Sequence, residues 1–192
     1  MSLKSLALLS LLALPVSAFA DWQLAGDDSS VNFVSVKKNT ISEVHHFKSM
    51  SGTIGDDGKA QLTIELASVE TNIPIRNERM QQMLFETTRF AEANITAQVD
   101  AAKLKALKPG QSMTVVTDVT VEIHGEQQTE KADMQVTALE GGQLLVTSNA
   151  PIPVNAGNYK LLEGIDKLRE VAGLDSISPI VPVTVKLLFT KQ

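Results

Sequence analysis

The stretch MTVVTDVTVEIHG, residues 113–125, changes character with every step. Met113, Val115, Val119, Val121 and Ile123 are apolar at the odd positions, interrupted only by Thr117. At the even positions Thr114, Asp118, Thr120, Glu122 and His124 leave Val116 as the lone hydrophobe. Successive side chains of a strand point to opposite faces, so the pattern predicts a strand with one dry and one wet side. The same period recurs along the chain. AQLTIELAS sets Leu62, Ile64 and Leu66 against Thr63 and Glu65, and NITAQVDAA sets Ile95, Ala97 and Val99 against Thr96, Gln98 and Asp100. KADMQVTAL sets Ala132, Met134, Val136 and Ala138 against Lys131, Asp133, Gln135 and Thr137. PIVPVTVKLLFTK aligns Val181, Val183, Val185, Leu187 and Phe189, while QLLVTS and SSVNFVSVKKN, which carries Phe33, read as shorter strands.

Turn residues fall between these runs: GDDGK at 55–59, KPGQ at 108–111, HGEQQ at 124–128 and EGG at 140–142. Short links make neighbours in sequence antiparallel neighbours in space. One-sided strands joined this way cover their dry faces when the sheet closes on itself, which also removes its free edges. The expected fold is all-β, an antiparallel barrel. Two stretches break the period. Residues 73–86 place Met80, Met83 and Leu84 at helical spacing after Pro74, and residues 160–173 align Leu161, Ile165, Leu168 and Ala172 before Gly173. Both predict short amphipathic helices packed on the sheet.

The first twenty residues, MSLKSLALLSLLALPVSAFA, join Lys4, an apolar run and the small pair Ala18 and Ala20, the pattern of a secretory signal peptide too short to span a bilayer. The domain division expected is a leader at 1–20 and one exported domain at 21–192. The formal charge of −5 becomes −6 once Lys4 leaves with the leader, a field that repels nucleic acid and anionic membrane surfaces. There is no cysteine, which removes disulfides and thiol chemistry and fits the bacterial periplasm.

Chemical motifs are sparse. No G-x-S-x-G elbow, H-E-x-x-H helix, phosphate-cradling loop or dinucleotide fingerprint occurs, so the expectation is a protein that is not an enzyme. His45 and His46 are adjacent; on a strand they face opposite ways and cannot share a metal ion. His124, on the polar face beside a turn, reads as solvated, and Asp56 and Asp57 as turn formers. Met80 and Met83 either join the helix to the sheet or form a pliable lid, since thioethers adapt to irregular apolar surfaces.

Several segments carry a resemblance: SSVNFVSVKKNTISEVHHFKSMSGTI with its Phe47 to Gly52 stretch, SVETNIPIRNERMQQMLF with Arg76 and Asn77, DVTVEIHGEQQTEKADMQV with its His124-Gly125 turn, and NAPIPVNAGNY. In their order and spacing the chain resembles the YceI-like family of periplasmic polyisoprenoid-binding proteins, from about Trp22 to Phe189. It departs from the family at RFAEANITAQV, which lacks an aromatic pair and a proline, and in the longer insert KLLEGIDKLREVAG. The resemblance implies a lipocalin-like barrel of about eight strands, with one or two short helices, that holds an isoprenoid or other amphiphilic lipid such as a quinone. A barrel of that size is either filled by its own side chains or holds one ligand. The inward set is rich in Val, Ala and Thr and only 4% of residues are aromatic, which leaves room. The residues expected to line the cavity or its lid are Phe33, Leu62, Ile64, Leu66, Arg76, Asn77, Met80, Met83, Leu84, Val119, Val121, Met134, Val136, Val183 and Val185, with Arg76 and Asn77 near a polar head group. No dedicated cofactor, metal, nucleic acid or membrane span is expected, and a homodimer stays open. The rival reading is a solid barrel that serves as a stress-related periplasmic interaction protein.

Overall fold

The computed structural model describes residues 20–192; the leader read in residues 1–20 lies outside them except for Ala20. The described chain runs β1 (Ala20–Leu24), β2 (Ser30–Lys37), β3 (Ile41–Phe47), β4 (Met50–Gly55), β5 (Lys59–Glu65), β6 (Val69–Glu70), α1 (Pro74–Arg79), β7 (Glu92–Gln98), α2 (Ala101–Ala106), β8 (Ser112–Ile123), β9 (Glu126–Ala138), β10 (Leu144–Ser148), β11 (Ile152–Asn155), α3 (Leu162–Val171) and β12 (Ile180–Lys191). The twelve strand segments make eight long staves, because four pairs are single bent ribbons or their continuations. Both β1 and β2 pair with β12, β4 and β3 lie along them, β5 and β6 follow, and β10 and β11 share the other edge of β12. The ring β1-β4-β5-β7-β8-β9-β10-β12 closes where Trp22 meets Lys191 and Leu24 meets Phe189. All pairings are antiparallel, as the short links require.

The β8–β9 hairpin is the longest ladder, running in register from Ser112↔Thr137 to Ile123↔Glu126. Its turn is His124-Gly125, both at positive φ (54° and 77°), the geometry whose twist matches two strands joined by two residues. The turn residues HGEQQ predict a link over residues 124–128. Two residues suffice for the reversal, so Glu126 to Gln128 belong to the strand.

The barrel wall parts in two places, and a helical segment fills each. Pairing between β7 and β8 spans Asn94↔Glu122 to Ala97↔Val119, so the first half of β8 has no partner there and α2 packs into the gap through Leu104, 3% exposed. The alternation over residues 94–102 predicts a strand that runs into the first two residues of this helix, Ala101 and Ala102. Asp100 decides otherwise, because its carboxylate accepts from the Lys103 N–H at 3.1 Å and caps a run of good helix formers. Likewise β9 joins β10 only from Met134↔Ser148 onward, and the 3-10 turn Ala156–Tyr159 fills the parting above it.

The other two helices meet at one end of the barrel. α1 runs into a π-turn, Met80–Leu84, in which the Phe85 N–H donates to the Met80 carbonyl at 2.9 Å. The extra residue in that turn changes the stripe read from the sequence: Met80 and Phe85 are buried, Leu84 is half-buried, and Met83 stays at the side. α3 buries Leu161 and Ile165 and rests Leu168 on the core, but Ala172 is exposed, because the helix ends at Val171. Gly173, at φ 61°, closes it: Gly173 and Leu174 N–H groups donate to the Glu170 and Arg169 carbonyls, both at 3.0 Å. α3 crosses the π-turn at Gly164, which is buried against the backbone of Met83 and Leu84.

Candidate functional site: an apolar cavity along the barrel

The inward side chains do not fill the barrel. They enclose a cavity of about 300 Å³ whose lining is apolar except for Gln61, Thr117 and Glu130. Every second residue of β8 from Val115 to Ile123 faces it, a wall about 26 Å long at the rise of an extended strand. The row Val181, Val183, Val185, Leu187 and Phe189 of β12 lines it as a whole. Leu104 of α2 borders one end, and Leu84, Phe85, Leu161 and Ile165 border the other. Small side chains make the space: Ala60, Ala93, Ala97, Ala132 and Ala156 are all in the lining. Aromatic rings are few but concentrated on one wall, where Phe33, Phe47 and Phe85 follow one another with ring centroids 5.4 and 5.9 Å apart.

Of the residues expected at the site, Phe33, Leu62, Ile64, Leu66, Leu84, Val119, Val121, Met134, Val136, Val183 and Val185 line the cavity. Arg76, Asn77, Met80 and Met83 do not. Met80 is 6% exposed within the core, so it joins the π-turn to the sheet, and Met83 packs outside the core clusters. Arg76 donates to Glu43 Oε2 at 2.8 Å and to the Thr71 carbonyl at 2.6 Å. Asn77 accepts from the Thr71 N–H at 2.9 Å and hydroxyl at 2.6 Å, and donates to Glu70 at 2.9 Å. These polar groups are consumed in fastening α1 to β3 and to the end of β6. Hydrogen bonds from Asn77, Lys48 and the Asn72 N–H pull the Glu70 carboxyl down to about 2, and the bond from Lys37 with the charge of Arg76 lowers that of Glu43.

His45 lies behind the aromatic wall, 3% exposed, edge-on to Phe33 at 5.3 Å, with Nε2 2.9 Å from the Ser35 hydroxyl and Nδ1 without a protein partner. His46 stands opposite Asn32 and Glu70 in the ladder, on the other face. Burial and then the Arg76 charge push the His45 pKa below its ordinary 6.5. The unfolded chain therefore takes up this proton first as pH falls, so stability is lost as pH drops below about 6.5 toward the folded pKa, ahead of the carboxylates. Denaturant titrations at about pH 7.5 and about pH 5.5 should show that loss, and His45→Asn should remove it; an identical slope in the variant would assign it elsewhere. His124 is not solvated. Its side chain is 13% exposed, stacks at 4.3 Å from Phe90, and points Nε2 at Glu86 from 4.0 Å, because the tight turn folds it back onto the segment after the π-turn. Among the described residues no three His, Asp or Glu are grouped to hold a metal, and no helix is long and apolar enough to cross a membrane.

Glu130 and Tyr159 were missed by the sequence reading. Glu130 sits two residues before Ala132 on the inward row of β9, and its Oε1 accepts from the Tyr159 hydroxyl at 3.3 Å. Tyr159 is fully buried, and burial together with the Glu130 charge raises its pKa, which keeps it a donor. Gln128, on the same row, donates to the Asn158 carbonyl at 3.1 Å, and Lys160 pairs with Glu126. The signal was present: the period of two continues backward from Ala132 through Glu130 to Gln128.

The sequence matches the YceI-like domain over residues 22–189. The chain belongs to the YceI-like family. A solved polyisoprenoid-binding domain from Saccharophagus degradans, implicated in plant cell wall breakdown, is 36% identical, with a TM-score of 0.89 over 91% of this chain and 100% of that one. BcnA of Burkholderia cenocepacia shares the fold at 18% identity, with a TM-score of 0.64 over 86% of this chain and 98% of its own. No curated protein sequence matches the chain. The YceI-like match spans every stave of the barrel, from Trp22 in β1 to Phe189 in β12.

Proposed function

We propose that this YceI-like protein is a non-enzymatic periplasmic binding or carrier protein that holds the hydrocarbon tail of an isoprenoid lipid, of polyprenyl or quinone type, inside its barrel. The observation that carries this reading is the long, nearly all-apolar cavity of about 300 Å³. An apolar cavity of about 150 Å³ already stays dry and takes up benzene, and ligand sites begin at about 300 Å³. Water gains little in a space lined by Val, Leu, Ile, Phe and Ala, so an apolar guest has no strong competitor. Each methylene that enters contributes roughly 0.8 kcal/mol, so a tail of a few isoprene units overcomes the cost of association. Similarity to the polyisoprenoid-binding domain of Saccharophagus degradans supports the same class of guest. The leader read in the sequence supports export.

The test is native mass spectrometry and organic extraction of protein isolated from its own host, with a fluorescent polyprenyl probe for the stripped protein. One defined lipid per chain, replaced by the probe, is the expected result. An empty extract together with no probe uptake would leave a periplasmic interaction protein, whose cavity holds no lipid, as the better reading; the barrel itself is hollow, against the filled one of that rival reading.

A further inference from the structure

The inward rows of three strands do not stop where the apolar cavity stops. On β9 the row passes from Val136, in the cavity lining, to Ala138; on β10 it passes from Val146 to Leu144, and on β12 from Phe189 to Lys191. Ala138, Leu144 and Lys191 line a second pocket of about 210 Å³ together with Trp22, Lys105 and Gln143. Leu104 is the one residue that lines both spaces. The two are therefore successive parts of a single bore, with Leu104 between them. Their chemistry differs. The surface of the cavity is almost wholly apolar, and its far end is bordered by Leu84, Phe85, Leu161 and Ile165. The second pocket sets Trp22 and Leu144 beside the exposed Lys105 and Lys191 and the half-buried Gln143. Only one side chain anchors the wall here: α2 has six residues, and Leu104 alone among them is buried.

We infer, building on the isoprenoid reading above, that the second pocket is the entrance and head-group site of the barrel for a single-tailed amphiphile, and that Leu104 is its gate. The tail passes Leu104 into the cavity, where each buried methylene is favourable. The head stays behind beside Trp22. A polar head drawn into the cavity would lose its water and find no partner on an apolar wall, which is costly. In the second pocket it keeps contact with solvent and meets the ammonium and amide donors of lysine and glutamine. Withdrawal of one leucine, carried on a short helix, is enough to let the tail through.

Trp22 is the only tryptophan of the chain, and its Nε1 donates to the Gly142 carbonyl at 3.0 Å, so its fluorescence reports on this pocket from a fixed place. Two geranylgeranyl chains are compared on the stripped protein, one carrying a nitroxide at the head and the other at the far end of the tail. Displacement of a fluorescent polyprenyl probe measures the binding of each separately. The head-labelled chain should quench most of the Trp22 emission, and the tail-labelled chain, whose nitroxide lies toward α3, should quench little of it. In Leu104→Ala, with folding checked by its melting temperature, the barrier set by displacing a packed leucine is gone, so uptake and release of the probe should both quicken by about tenfold or more. A tail label that quenches as strongly as the head label, binding of both chains with no quenching, or a Leu104→Ala protein with the rates of the parent overturns the entrance and leaves the isoprenoid cavity standing. If neither chain binds, the isoprenoid reading falls with it.

Discussion

Ala97→Trp should all but abolish uptake of a fluorescent polyprenyl probe while the barrel stays folded. Ala97 lines the cavity from β7, and its in-register neighbours Ala60 and Val119 also line it, so an indole there projects into empty space rather than into packed atoms. Excluding three or four methylenes of a guest, at roughly 0.8 kcal/mol each, lowers affinity by about 100-fold. The cost to stability stays at or below the 1–3 kcal/mol typical of overpacked cores, because the side chain occupies a void. Probe titration and a thermal melt measure the two quantities separately. An unchanged affinity would mean that the guest binds outside the barrel, and the functional reading would fall with it.

The largest loss of stability is expected from Gly164→Val. A Cβ at this position would sit 2.6 Å from the Met83 carbonyl oxygen and 2.7 Å from the Leu84 Cα. Both are backbone atoms of the π-turn, so no side-chain rotation relieves the contact and α3 has to lift away from it. That movement draws Leu161 and Ile165 off the end of the cavity. A destabilisation of about 3 kcal/mol follows, which lowers the melting temperature by about 6–12 °C for a chain of this size. Gly173→Ala provides the contrast. Its φ of 61° strains an alanine, but a Cβ there meets no atom within 4 Å, so the cost is only about 1–2 kcal/mol. A Gly164→Val protein that melts within about 2 °C of the parent would show that the helix crossing is not rigid.

The two predictions differ in how readily their residues could be read from the chain. Ala97 belongs to an alternating row, and its inward direction follows from parity alone. Thr117, the apparent flaw in the apolar row of β8, keeps that parity and faces the cavity opposite Ala132. Gly164 shows nothing in sequence, since its role depends on a helix crossing set by distant contacts. The same holds for Arg76 and Asn77: a polar pair at a helix start suits a head group or a structural lock equally well, and only Glu43, Glu70 and Thr71 brought alongside by β3 and β6 choose the lock. The helical stripe of Met80, Met83 and Leu84 assumed 3.6 residues per turn, and the π-turn changes that count locally. Glu130 escaped because polarity was taken to mark the wet face, whereas the pleat places it on the dry one.

By itself the sequence determined that strands with one apolar face close into an antiparallel barrel, because a period of two is local and a dry face has to be covered. Whether that barrel is hollow was decided only by the tertiary structure. Empty volume is the difference between the space inside a closed ring of staves and the side chains that enter it. Stagger, the two partings and the three helices that fill or cap the wall all act on that difference, and each depends on contacts between residues far apart in the chain.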